Sequence, residues 1–529
     1  MNEAAPAVSD IQIDEMPFAQ ELLYLRSFTD AMSRLHTTGM SSRMSDFVDD
    51  VIPRKPALPQ LSEETVAPVR AHLAEMCNRL EFAESGQGEK FLSTAPLRAL
   101  AKEFQDQPPA AVIIGSKGSG KTYTYLQLVR AKYWSNFAGA ALNVTMSAET
   151  GCIWPVLHSS NLQASALQLV DACKRQAATD LHLTNSFTQT NVEDAIRESL
   201  SHDRTDETWW RHRWFTLISR SMGLAVGAEN EASSRLIDEL RRQAKPATAV
   251  VDGLEDLFQD IETRPVQQTA LRALLKIPNY LREVPDNPLG VVIFVRADLV
   301  RAAIPQNVKQ FARQYQNYSL RWNQEEALRL AAWLATESGV QLQLLPSRNI
   351  ETLTGEEARN ALVPLWGKKL GPENSKEART AEWVVAALSD FLGQIQARDL
   401  VRLLRYSAEK SAGLPVGDRV LPARAIRDAI RPCSDQKVQE IKQEIPPLKD
   451  IFEKLQRQPD KRIPFDALEY GLKAEEIHFL ESIGVVLEES GQYYLPEIFR
   501  LGLGFLLPRG ARPKVLSLAR RSFETQSPL

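Results

Sequence analysis

Short apolar runs alternate with longer amphipathic stretches along this chain. Three runs are nearly continuous: Ala110-Ala111-Val112-Ile113-Ile114, Ala247-Thr248-Ala249-Val250-Val251 and Gly290-Val291-Val292-Ile293-Phe294-Val295. Apolar runs without polar alternation are the mark of strands covered on both faces, as in a parallel sheet. A fourth run, residues 152–157, contains Pro155, which suits an edge or a bulge. Before the first run, Leu97, Leu100, Ala101 and Phe104 have helical spacing, and Pro108-Pro109 ends that helix. A further helix is expected over 167–175. Strands that alternate with helices in this way predict an α/β core with a parallel sheet between helices.

The pattern changes after residue 320. Asn323 to Glu326 has the N-x-x-E form of a helix start, and Ala327, Leu330, Ala331 and Leu334 continue it as an apolar stripe. Helical patterning runs to about residue 411, through 383–391 and 396–404. A turn at 413–418 leads to a connector, and Pro446-Pro447 opens another unit. There Leu448, Ile451, Phe452 and Leu455 share a helix face. Residues 464–470 and 474–483 read as two more helices, and Ser490-Gly491 as a hairpin turn. Three helices and a hairpin make a winged helix-turn-helix pattern. At the other end, a helix is expected over 18–35, a break at Pro53, Pro56 and Pro59, and a second helix over 63–80. The resulting division is 1–94, an N-terminal helical segment for packing or docking; 95–320, the core; 321–415, a helical lid; 416–446, a connector; 447–505, the winged helix; and 506–529, a basic tail.

A length of 529 residues agrees with about three domains. The net charge of −4 supplies no overall field for nucleic acid, so such a contact would need a local patch. Cys77, Cys152, Cys173 and Cys433 form no C-x-x-C pair, which suits a reducing compartment and argues against a zinc site. No apolar stretch approaches the roughly 18 residues that span a bilayer. The N-terminus, with Glu3, Asp10, Asp14 and Glu15, is unlike a secretory signal. A soluble, cytoplasmic protein with no membrane partner is expected.

The chemistry concentrates between the first run and the helix after it. Gly115-Ser116-Lys117-Gly118-Ser119-Gly120-Lys121-Thr122 is the full G-x-x-x-x-G-K-T phosphate-loop pattern, placed between strand and helix. The glycines turn backbone N–H groups toward a phosphate, and the helix start adds its free donors. Lys121 would reach the outer phosphates, and the Thr122 hydroxyl would meet Mg2+. About 130 residues later the second run ends in Asp252, placed to complete the Mg2+ shell. Glu255 and Asp256 follow, either of which can orient or deprotonate an attacking water. The third run ends in Arg296, a candidate γ-phosphate sensor, or else the partner of Asp298. Arg313 is either a surface arginine or a residue offered to a neighbouring subunit's site. Arg398 starts the last long lid helix and either swings onto the phosphates or pairs within the lid.

Two features bear on nucleic acid. Residues 209–215, Trp-Trp-Arg-His-Arg-Trp-Phe, read as a core helix with a basic face in preference to a base-stacking surface. The second helix of the winged unit carries Glu475, Glu476 and Glu481, and its wing Glu488 and Glu489. This favours protein contact over DNA reading. The tail differs, since Arg509, Arg512, Lys514, Arg520 and Arg521 oppose only Glu524. A nucleic-acid contact there is an alternative, not the favoured one.

The order of phosphate loop, Asp252-Gly253-Leu254-Glu255-Asp256, arginine-tipped strand, Ala397-Arg398-Asp399-Leu400 lid and winged helix resembles the STAND and AAA+-like P-loop ATPases. It looks closest to bacterial relatives in anti-phage and other conflict systems, and covers about residues 95–505. The resemblance implies ATP and Mg2+ as cofactors and a switch that controls a partner effector protein, with homo-oligomer assembly as a further expectation. It assigns Lys121 and Thr122 to phosphate and Mg2+, Asp252 to Mg2+, Glu255 or Asp256 to the water, Arg296 to a first sensor and Arg398 to a lid sensor. A DNA loader resembling the ORC-type initiators is one alternative, and a slow or non-hydrolysing scaffold another. The chain departs from the pattern in having no array of sensor repeats. It also places Gly253, not Glu, after Asp252, which implies slow turnover.

Overall fold

Helix α1 (Glu63–Glu81) opens the computed structural model, which describes residues 61–88, 91–183, 188–224, 227–344, 348–507 and 514–524. The helix expected over 18–35 lies outside the described residues. From Ser62 onward the chain forms one compact unit. Ser62 caps α1, its hydroxyl accepting the Thr65 N–H. The amphipathic stretch before the first run is a helix over Ala95–Glu103, and Leu97, Leu100, Ala101 and Phe104 are all buried.

The core sheet has four parallel strands: β1 (Ala110–Gly115), β2 (Cys152–Leu157), β3 (Ala247–Val251) and β4 (Leu289–Arg296), in the order β1-β4-β3-β2. Between β1 and β2 lies helix α2 (Lys121–Ala131), and β2 is followed by α3 (Ala164–Asp180), which packs on it. Nearly every strand residue is buried, which is why the runs lack polar alternation. β2 is an edge strand with a register shift between Pro155 and Leu157, as its proline suggests. Beyond β1 on the other side, Leu320 adds a single bridge to Gly115 and no full strand. The Leu320 N–H donates to the Ile114 carbonyl at 2.8 Å, and a 3-10 turn takes Gln316–Tyr318. This is the α/β P-loop NTPase architecture: a parallel sheet with its glycine loop at the carboxyl end of β1.

Helix α4 (Glu207–Ser221) carries the tryptophan cluster into the core. Trp210 and Trp214 are fully buried, and their indole N–H groups donate to the carbonyls of Arg204 (2.7 Å) and Ala270 (2.8 Å). The packing reading therefore holds, and these two rings are closed to a nucleic-acid base.

After the sheet come α5 (Gln324–Glu337), α6 (Thr380–Leu388) and α7 (Ala397–Glu409). The Asn323 side chain caps α5 by accepting the Glu326 N–H at 2.8 Å. Residues 423–444, expected only to connect, form α8 (Ala423–Glu444), a helix of 22 residues. Ala425, Ile426, Ala429, Ile430 and Cys433 are buried along one stripe that continues past Pro432. Helices α9 (Pro446–Arg457) and α10 (Ala474–Ser482) follow, then the hairpin β5 (Leu487–Glu489) and β6 (Gln492–Tyr494). Ser490 and Gly491 both have positive φ, as the two-residue turn requires. The helix expected over 464–470 is absent. Phe465 instead exchanges backbone hydrogen bonds with Tyr493 at 3.0 and 2.9 Å, and a turn follows. Of the tail, α11 (Lys514–Glu524) packs on α6, burying Val515, Leu518 and Ala519. Arg521 pairs with Glu489 of the hairpin at 2.7 Å, Arg520 is exposed, and Arg509 and Arg512 lie outside the described residues.

Helix α1 packs along α7, and the interface is charged. Arg402, Glu81 and Asp399 are each 1% exposed. Arg402 donates to Glu81 at 2.8 Å and to Glu440 of α8 at 2.7 Å, and Arg405 pairs with the second Glu81 oxygen at 3.0 Å. Lys437 of α8 pairs with Asp399 at 2.8 Å. Removing one member leaves a buried charge uncompensated. Arg402→Ala is expected to lower unfolding stability by about 3–5 kcal/mol, measured as a fall in the urea midpoint with an unchanged slope.

Candidate functional site

The loop between β1 and α2 begins where the strand's last residue must be small. A Cβ on Gly115 would lie 2.3 Å from the Ser119 hydroxyl. Gly118 and Gly120 have φ of +74° and +99°, which turns the backbone into the helix. Their N–H groups have no hydrogen-bond partner among the described residues, and the Ser119 hydroxyl is buried without one. Unpaired donors around a glycine turn at a helix start form a concavity suited to an anion. Lys121 is nearly buried, and its ammonium donates to the carbonyls of Ser116 (2.9 Å) and Gly115 (3.3 Å), folded back along the loop. Ser116, Lys117 and Thr122 are half-buried around it.

Strand β3 brings the second half of the site. Asp252 follows its last residue and is 1% exposed, and its carboxylate accepts the Thr122 hydroxyl at 3.0 Å. Two residues 130 positions apart are thereby joined. Burial, reinforced by the charge of Glu255, pushes the Asp252 carboxyl up to about 7, while Lys121 and the Thr122 hydrogen bond act the other way. A buried carboxylate beside the hydroxyl of Thr122, in a loop whose glycine N–H groups lack partners among the described residues, is a donor set that fits a divalent cation bound together with phosphate. The residues present therefore fit Mg2+ and a nucleotide.

The acids after Asp252 have different surroundings. Asp256 accepts the Ser160 N–H at 2.9 Å and so fastens the loop after β2. The Glu255 carboxylate is half-buried and makes no hydrogen bond or ion pair among the described residues. Gly253 has φ of +76°, and a Cβ there would lie 2.6 Å from the backbone of Ser159. A glutamate directly after Asp252 is thus excluded by sterics, and the acid comes from the 3-10 turn Leu254–Asp256 instead.

Strand β4 lies between β1 and β3, and its register sets Arg296 beside Gly115. The Arg296 guanidinium pairs with Asp298 in a fork, at 3.0 and 2.7 Å, one of the two arrangements open from sequence. Arg313 is exposed on the short helix Val308–Gln314. Arg398, at the first turn of α7, reaches the loop through its backbone, its N–H donating to the Gly118 carbonyl at 3.3 Å. Its guanidinium pairs with Glu84 at 3.3 Å and Glu440 at 3.7 Å.

Sequence reasoning missed three residues here. Trp322 donates its indole N–H to the Ser119 carbonyl at 2.8 Å. Gln396 places its side-chain oxygen 3.0 Å from where a Cβ on Gly118 would stand. Glu84 meets Arg398 from a 3-10 turn after α1. Trp322, just before the Asn323 helix start, and Gln396, at the head of the 396–404 helical stretch, were the available signals; Glu84 stands outside any periodic pattern.

No protein-family model matches the chain, and no curated protein matches it. A solved structure of the Aeropyrum pernix ORC2 protein, in ADPNP–ADP complexes, matches 89% of this chain and 96% of its own. The identity is 12% and the TM-score 0.28.

Gly253→Ala is expected to cost about 2–4 kcal/mol through its left-handed φ and the clash with Ser159, measured by chemical unfolding. Asp252 holds its proton more tightly folded than unfolded. The folded chain therefore binds the extra proton between about pH 4 and pH 7. Stability of the metal-free protein is expected to fall as pH rises through that window and to level off above it. Melting temperatures of wild type and Asp252→Asn across that range check this, because the variant should lack that component of the fall.

Proposed function

We propose that this chain is a Mg2+-dependent ATP-binding switch of the AAA+ type that hydrolyses ATP slowly. The observation that carries this reading is the Thr122–Asp252 hydrogen bond across the glycine loop, with Lys121 beside it. Thr122 and Asp252 are the residues that would hold Mg2+, which supplies charge neutralisation between the outer phosphates. The N–H groups of the loop bind the phosphates, and Lys121 leaves its carbonyl partners for the outermost ones. Glu255 takes the proton of the water that attacks the γ-phosphorus. The bond to the β–γ bridging oxygen breaks, and ADP and phosphate leave. Glu255 is preferred to Asp256 because Asp256 already holds the Ser160 N–H.

The output implied by the resemblance to STAND and AAA+-like ATPases is assembly with an effector protein or with further copies of this chain, in the manner of anti-phage systems. A DNA-loading role has less support. Trp210 and Trp214 are core residues and Arg521 is paired with Glu489. The acidic α10 further disfavours phosphate contact.

Turnover of the purified chain, with and without double-stranded DNA, tests the proposal. Lys121→Ala is expected to abolish nucleotide binding. Glu255→Gln is expected to bind ATP and turn it over at least about 100-fold more slowly. Unchanged ATP binding by Lys121→Ala would overturn the nucleotide site. Turnover strongly stimulated by DNA, with a steep salt dependence, would replace the switch with the loader.

A further inference from the structure

The Arg398 side chain sits at a seam. The 3-10 turn Ala83–Ser85 and the residues after it are fastened to the core. The Gln163 N–H donates to the Glu84 carbonyl at 2.9 Å, and the Ser165 hydroxyl donates to the Ser85 carbonyl. Arg130 of α2 donates to the carbonyls of Gly86 (2.9 Å) and Gly88 (3.0 Å). Gly86 packs so closely on α3 that a Cβ would lie 2.8 Å from the Ala166 backbone. Three residues before Glu84, Glu81 is held on the lid side by Arg402 and Arg405. The chain thus passes from a lid anchor to a core anchor within one turn.

Arg398 spans this seam. Its carboxylate partners come from both sides, Glu84 from the core-fastened turn and Glu440 from α8. Burial alone would raise the Glu440 carboxyl, but the hydrogen bond from Arg402 and the charges of Arg402, Arg398 and Lys437 outweigh it and hold it below its usual range. Meanwhile the Arg398 Cβ lies 3.3 Å from the position a Cβ would take on Gly118, in the phosphate loop itself. An arginine whose side chain leaves the backbone against the phosphate loop, and whose guanidinium is paired with carboxylates, has two competing sets of acceptors.

We infer that Glu84, with Glu440, is a positioning residue that parks Arg398 away from the phosphate loop, and that the γ-phosphate of a bound triphosphate competes with Glu84 for this guanidinium. The inference rests on the nucleotide reading above and adds its regulation. When Arg398 moves to the phosphate, the Glu84 bond across the seam is lost, and lid and core lose one of their fastenings. A diphosphate offers no such acceptor and leaves the pair intact. The seam therefore distinguishes triphosphate from diphosphate without a catalytic step.

A double-mutant cycle with two nucleotides tests this. Affinities for ATPγS and ADP are measured for wild type, Glu84→Gln, Arg398→Ala and the double variant, with the melting temperature of each nucleotide-free protein. Glu84→Gln is expected to tighten ATPγS about three- to tenfold, the scale of a partly buried charge pair, and to leave ADP unchanged. In the Arg398→Ala background the same change should have no triphosphate-selective effect. Equal gains for both nucleotides, or a gain that persists without Arg398, would overturn the parking role, since general charge repulsion would explain them. Loss of both nucleotides with a lowered melting temperature would overturn it in favour of a structural brace. If wild type binds neither nucleotide, the site reading itself fails and this inference with it.

Discussion

Asp252 is the constraint around which the site is built. A carboxylate removed from water beside a second acid is unfavourable unless something of opposite charge completes it. The Thr122 hydroxyl and the field of Lys121 offset part of this, but burial still raises the carboxyl. In the loop that carries Thr122, the N–H groups of Gly118 and Gly120 have no hydrogen-bond partner among the described residues. One half of the site has excess negative charge and the other excess donors. A cation joined to a phosphate chain satisfies both halves at once, and neither a free anion nor a lone cation does.

Sheet order puts these halves at a useful separation. With β4 between β1 and β3, the loop after β1 and the acid after β3 face each other across the tip of β4, where Arg296 is held by Asp298. The second element with two-sided connections is α7. Its first turn touches the phosphate loop through the Arg398 N–H, and its middle is held to α1 and α8 by Arg402. Buried ion clusters contribute little net stability compared with apolar packing, and their best-attested use is to fix one arrangement among several. Here the cluster fixes α1 against α7 and α8, while the turn after α1 is fastened to α2 and α3.

Much of this was legible in the chain. The apolar runs were read correctly because strands buried on both faces leave no polar alternation, and Pro155 pointed to an edge that the topology contains. The glycine octet and Asp252 were legible because backbone geometry demands those residue types at fixed spacing. The failures have physical causes. Residues 423–444 carry no marked start or stop signal and read as a connector, yet burial of Ala429, Ile430 and Cys433 makes them one helix that continues past Pro432. The 464–470 stretch is too short for its apolar spacing to separate helix from strand, and its conformation is set by Tyr493, a partner far along the chain. Glu84 acts through tertiary neighbours alone, so no local pattern marks it. Ion pairing was the least legible feature: sequence offered Arg296 and Arg398 two fates each, and only the fold supplies Asp298, Glu84 and Glu440 as partners.

Gly253 links these themes. Sequence alone makes it a departure from an acid expected directly after Asp252. In the fold it is a position where no side chain fits, because the backbone at His158 and Ser159 passes within 2.7 Å of any Cβ. The acid is thereby displaced onto a 3-10 turn, and that turn is tied through Asp256 to Ser160, in the loop between β2 and α3. Glu255 therefore sits on a turn fastened to the loop after edge strand β2, whereas Asp252 directly follows the central strand β3. The placement of Glu255 thus depends on two loops tied together, and that of Asp252 on one strand end.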